Sequence, residues 1–209
     1  NTTAAGNTAV GWYSLNANTT GYASTALGFS ALENQTTGHE NVAVGYQTLD
    51  ALTTGEYNTA VGRGAGGAVT TGISNTLIGG LAGDALTDSD FNVAIGVNTL
   101  GQETLGSRST AIGYSALYTQ NNTSALDASN TAVGYVAGYS LTTGTHNSFF
   151  GNNSGSAITT GGKNAILGGY NGNQGGVDIR TASNNIILSD GDGNPRLMID
   201  SGGTITSSP

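Results

Sequence analysis

The chain has no cysteine, which removes disulfides and thiolate chemistry without fixing a compartment. It has two prolines, one methionine, one tryptophan and only 9% charged residues, against roughly 25% in ordinary globular domains. A compact enzyme rarely has this composition. Basic residues are especially scarce: five against thirteen acidic ones give a formal charge of -8. A phosphate backbone or an anionic membrane surface would be repelled, so nucleic acid is not an expected partner. No apolar run approaches the roughly 18 residues of a membrane span, and no charged-then-apolar signal segment opens the chain, so membrane insertion is not expected.

What is abundant is glycine, 35 of 209 residues, and it is periodic. The glycine after a short apolar segment recurs as Gly11, Gly28, Gly45, Gly62, Gly79, Gly96, Gly113, Gly134, Gly151 and Gly168. The spacing is 17 throughout except for 21 between Gly113 and Gly134, a four-residue insertion within 118–125. Ten such units cover residues 4–177. A unit this thin cannot bury its own apolar face, so the pattern predicts an all-β solenoid, or β-roll, of about ten 17-residue coils over 1–179. Each coil is expected to hold two short strands and two turns. A C-terminal hairpin or stem segment is expected over 180–209.

The residue before each glycine is Val10, Leu27, Val44, Val61, Ile78, Ile95, Ile112, Val133, Phe150 and Leu167, read as a core ladder. One position earlier stand Ala9, Ala26, Ala43, Ala60, Ala94, Ala111 and Ala132, which alternation places on the opposite face. Recurrent alanine there suggests close approach by a neighbouring chain or a return strand. Recurring asparagines (Asn7, Asn41, Asn58, Asn75, Asn92, Asn130, Asn147, Asn164), with Ser24 and Ser109 substituting, can stack amide to amide or cap the turn backbone. The glycine either adopts positive φ or allows close approach of chains.

The units Asn41-Val42-Ala43-Val44-Gly45-Tyr46 and Asn130-Thr131-Ala132-Val133-Gly134-Tyr135 resemble repeats of phage tail fibres, which are similar to the head repeats of YadA-like trimeric adhesins. The resemblance implies an intertwined homotrimer with its Ala-Gly strands near the three-fold axis. The stretch from Asn185 to Gly203 resembles the β-structured segment that precedes a self-cleaving intramolecular chaperone in many tail fibres. No chaperone domain follows it in this sequence, as expected of a shortened chain or of a product of cleavage.

Chemistry-bearing residues are few. The only histidines, His39 and His146, fall about six coils apart, on the order of 30 Å at 4.8 Å per coil, and cannot share a site within one chain. Glu40 with Glu56, or Asp88 with Asp90, could approach the carboxylate spacing of a glycosidase, as neighbouring coils of any acidic solenoid would. Asp190-Gly191-Asp192-Gly193-Asn194 places oxygens at alternate positions like a calcium loop but lacks the closing Glu; a hairpin turn explains the same residues. Regular Thr pairs raise an ice-binding reading, though they abut glycine turns instead of lying on a flat strand face. No catalytic residue, metal or cofactor is assigned.

The position after the glycine carries Trp12, Phe29, Tyr46, Tyr114 and Tyr135, a column that could contact sugar rings or simply stiffen the rod. The expected function is a non-enzymatic structural and host-recognition element of a phage tail fibre. It would form a homotrimer, contact host surface glycan or protein, and reside in the virion or on a cell surface. A bacterial trimeric adhesin or extracellular filament subunit is the alternative.

Overall fold

The computed structural model describes residues 4–207, so residues 1–3 and 208–209 of the two expected segments lie outside it. The described chain is all-β, with no helix among these residues. Thirteen strands form one sheet. The first eleven run parallel, in register from Thr8–Val10 through Thr25–Leu27 and on to Ile186–Ser189. Pro195–Ile199 and Ile205–Ser207 then close the sheet as antiparallel strands. At about 4.8 Å per rung the solenoid is roughly 50 Å long. Its eleventh rung, Ile186–Ser189, pairs with Ala165–Leu167 and is also the first arm of the hairpin, so the repeat region and the terminal segment share one sheet. The sequence hides this rung because Ser189 stands where the other coils have glycine.

Each regular coil holds one three-residue strand, not the two expected. The opposite wall is built from residues that alternate into the left-handed region, such as Gln47 (φ 50°) and Leu49 (φ 49°). Their amides reach alternately backward and forward, Gln47 N–H to Phe29 O (2.9 Å) and Leu49 N–H to Ala65 O (3.1 Å). Coils are therefore stitched to both neighbours without a regular strand.

The strand faces are the reverse of the sequence reading. Ala26, Ala43, Ala60, Ala94, Ala111 and Ala132 are fully buried inside the coil, whereas Val10, Leu27, Val61, Ile78, Phe150 and Leu167 are exposed on the outside. The lumen explains this. Leu32, Leu49, Leu100 and Leu117 from the opposite wall, with Leu52, Leu86 and Leu141 beside them, fill a narrow bore and leave room for little more than Cβ at the strand. Two of the exceptions follow the same volume rule. Leu77 replaces alanine where the facing column is Gly66 and Gly83, and a Cβ on either glycine would lie 2.7–2.8 Å from its methyls. Phe149 likewise sits between Gly138 and Gly155.

Polar ladders complete the stack. Asn58 takes its N–H to Asn41 Oδ1 (2.9 Å) and donates Nδ2 to Gly72 O (2.8 Å), so the asparagines both stack and cap the turn. Asn75 and Asn147 repeat both contacts. At Ser24 and Ser109 the smaller side chain is compensated eleven residues later: Gln35 and Gln120 enter the core and donate to Ser24 Oγ (3.2 Å) and Ser109 Oγ (3.1 Å). The first Thr of each pair donates to the next coil, as Thr53 Oγ1 does to Thr70 O (3.1 Å), which spends the hydroxyl an ice-binding face would need. The repeat glycine has both expected properties: Gly96 has φ 131°, and a Cβ there would lie 2.5 Å from Gly113 O.

Candidate functional site

Because alanine occupies the inside, the outside of the parallel sheet is apolar along its whole length. Strand positions one and three point outward. Position three runs Val10, Leu27, Val44, Val61, Ile78, Ile95, Ile112, Val133, Phe150, Leu167 and Leu188, all exposed or half-buried. Position one is mostly Thr or Val, and no charged residue stands on either position in the eleven parallel strands. At about 50 Å by about 10 Å this stripe covers roughly 500 Å², at the top of what monomeric proteins leave exposed in one patch. Of the alanines that the resemblance places near a three-fold axis, all but the exposed Ala9 of the first coil are packed inside their own coil, whereas the Val, Ile and Leu side chains face outward.

The aromatic column is real but interrupted. Phe29 and Tyr46 stack at 5.3 Å and 12°, Tyr114 and Tyr135 at 5.5 Å and 14°, while Arg63, Gly80 and Val97 separate the two stacks. Trp12 meets Tyr13 edge-on at 5.3 Å instead of joining Phe29. All five aromatics are exposed, from 44% for Phe29 to 68% for Trp12.

The titratable residues are dispersed. His39 lies between Tyr22, stacked at 4.5 Å, and Tyr57, edge-on at 5.5 Å; its Nε2 is 3.0 Å from Glu56 Oε1. The charge of neighbouring Glu40 raises the Tyr57 phenol above its ordinary value. Among the described residues, His146, six coils on, makes no comparable ring contact or ion pair. Asp88 accepts from Thr71 Oγ1 and Asp90 from the Ile73 N–H (2.8 Å), so both carboxylates hold the coil wall. Burial pushes the Asp50 and Asp84 carboxyls up, with the Glu33 charge adding to the effect at Asp50.

Asp190-Gly191-Asp192-Gly193-Asn194 forms the hairpin turn between Ile186–Ser189 and Pro195–Ile199. The Asp190 carboxylate accepts from Asn194 N–H (2.9 Å), Asp192 N–H (3.1 Å) and Arg196 Nη2 (2.7 Å). The backbone bond from Asn194 leads in drawing its carboxyl down to about 2, with Arg196 and the Asn194 side chain adding to it. Among the described residues no group of three or more His, Cys, Asp or Glu could hold a metal ion. Also among them, no helix is long and apolar enough to cross a membrane.

Two features escaped the sequence reading. Glu103, on the coil before the insertion, is a fully buried carboxylate that gathers backbone and side-chain donors. At the C-terminal end a polar cleft opens beside the hairpin tip. No protein-family model matches the chain, and comparison with curated proteins and with solved structures gave no significant match.

Proposed function

We propose that three copies associate through the outward Val, Ile and Leu row to form a segment of a phage tail fibre, with the turn faces left to contact a host surface. The uncharged apolar stripe carries this reading. A chain of net charge -8 would repel its copies if its acids faced one another. All thirteen lie off the outward rows of the parallel strands, so copies can meet there without pairing like charges. A second copy also matches the roughly 4.8 Å rung period without adjustment, which a partner of unrelated fold would not. Lateral association adds apolar burial that the alanine-lined bore of one coil cannot supply.

The turn faces left exposed bind rather than cut. General acid–base chemistry needs a positioned acid and base converging on a shaped pocket. Here His39 is occupied by Glu56 and Tyr22, and Asp88 and Asp90 hold the coil wall. Repeated turn-face positions on three chains suit multivalent contact, in which weak single contacts sum to avidity. The test incubates the assembled chain with host cells and with their surface polysaccharide, following retention and release of reducing ends. Retention without release is expected. Steady release, abolished by Glu40→Gln or Asp90→Asn, would replace this reading with a glycosidase.

A further inference from the structure

The Tyr114–Tyr135 stack ends two coils before the last repeat glycine, Gly168. The two rings occupy the same position in consecutive coils, so they stack along the rod axis, and Tyr114 covers one face of Tyr135. The other face turns toward the next coil, where the column continues with Asn152. Tyr135 is 57% exposed. Next to it lies a cleft of about 250 Å³ whose lining includes Asn152, Asn153, Ser156, Asn171, Gln174 and Asp192.

These residues come from three separate pieces of chain. Asn152, Asn153 and Ser156 follow the Ser148–Phe150 strand, Asn171 and Gln174 belong to the turn after Gly168, and Asp192 is at the hairpin tip. Two of the six are spent on the fold: Gln174 Oε1 accepts from Asn171 N–H (3.0 Å), and Asn171 Oδ1 accepts from Asn173 N–H (2.8 Å). The side chains of Asn152, Asn153, Ser156 and Asp192 have no hydrogen-bond partner among the described residues. The Asp190 carboxylate, by contrast, is wholly engaged with Asn194 and Arg196, and it orients the tip that carries Asp192.

We propose that this cleft, with the exposed Tyr135 ring at its edge, forms a binding site for one uncharged pyranose residue of a glycan. A sugar hydroxyl both donates and accepts. The three unspent side chains of Asn152, Asn153 and Ser156 do the same, and Asp192 supplies a further acceptor. The pyranose lies against the exposed Tyr135 ring at the edge of the cleft, its hydroxyls turned into the cleft. The volume is below the roughly 300–1,000 Å³ of sites that enclose drug-sized ligands, which fits one residue of a longer chain. The Asp192 carboxylate and the -8 charge of the chain disfavour an acidic sugar. This site rests on the recognition reading above and gives it a location and a ligand class.

The experiment is saturation-transfer NMR and calorimetry on the full assembled chain. The probes are maltohexaose, mannohexaose and chitohexaose, with hexagalacturonate as the anionic counter-probe. At least one neutral oligosaccharide is expected to bind, and hexagalacturonate not. Tyr135→Ala and Asp192→Ala should each weaken binding about ten-fold or more, whereas Tyr46→Ala, in the other stack, should change it less than about two-fold. Unchanged melting temperatures would confirm that these exposed substitutions leave the fold intact. Binding that survives both cleft substitutions, preference for hexagalacturonate, or no binding of any neutral probe would overturn the site. If the chain is still retained on cells in those cases, the recognition reading stands without this cleft. A cleft that binds sugar in a chain not retained on cells would sink the recognition reading alone.

Discussion

Replacing Glu103 by leucine would restore the residue that Leu52 and Leu86 supply in preceding coils, yet it should destabilise the protein. In a regular coil the amides after this position share a carbonyl of the next coil, as Thr53 N–H (2.8 Å) and Thr54 N–H (3.4 Å) do with Thr70 O. The four-residue insertion displaces that carbonyl from Thr104, Leu105 and Gly106. Glu103 Oε1 takes its place, accepting from Thr104 N–H (3.0 Å), Leu105 N–H (3.1 Å), Gly106 N–H (2.8 Å) and Asn122 N–H (3.1 Å). Oε2 accepts from Gln120 Nε2 (2.8 Å) and Asn122 Nδ2 (2.7 Å). Each donor left buried without an acceptor costs about 1–3 kcal/mol, so the set would cost well above 5 kcal/mol if all stayed dry. The insertion can open to admit water, and burying leucine returns about 2 kcal/mol. The expected net loss is about 3–5 kcal/mol. Glu103→Gln, which keeps one acceptor oxygen, should lose roughly half as much. The assay is hydrogen exchange read at the Gly106 and Asn122 amides, alongside the denaturation midpoint. Exchange at both should accelerate by about two to three orders of magnitude in Glu103→Leu. Stability at or above that of the parent, with Gly106 still protected, would refute the role assigned to the carboxylate.

Three further outcomes follow from the coil. Leu77→Ala should cost about 2–5 kcal/mol by denaturation, and adding Gly83→Leu should recover part of it; strictly additive losses would contradict the volume complementarity. Gly96→Val should lower the melting temperature far more than Gln102→Val, because a Cβ at Gly96 meets the Gly113 carbonyl whereas Gln102 is exposed. Asp190 has a folded pKa depressed to about 2, so its contribution is present above its unfolded value of about 3.9 and is lost as pH falls toward 2. Chemical shifts of the Asn194 and Arg196 side chains should follow that loss, and Asp190→Asn should abolish the dependence.

The repeat, its length and the insertion were legible because glycine is demanded once per coil by both φ and close approach. The asparagine ladder was legible for a similar reason: one amide satisfies both a backbone N–H and a backbone C=O, whereas the serine at Ser24 reaches the N–H and needs Gln35 beside it. The direction of the strand faces was not. Hydrophobicity favours Val and Ile as the inner row, but the bore is set by leucines from the opposite wall, and only alanine fits against them. The signal was present in the exceptions, since Leu77 and Phe149 break the alanine row where Gly66, Gly83, Gly138 and Gly155 break the facing leucine column. The left-handed Gln47 and Leu49 had no sequence cue, because neither residue type favours that conformation. The terminal cleft was invisible for another reason: its residues lie up to forty positions apart and meet only through the turn after Gly168 and the hairpin.

The central claim, that the outward Val, Ile and Leu row is an interface between copies, is tested most directly by the mass of the folded protein in solution. Light scattering on a chromatographed sample should give about three times the 20.8 kDa of one chain. Ile78→Glu, at an outward and 36% exposed position, should bring that mass toward a single folded chain. A parent protein that is folded and monomeric, or a trimer indifferent to Ile78→Glu and Leu27→Glu together, would contradict the account.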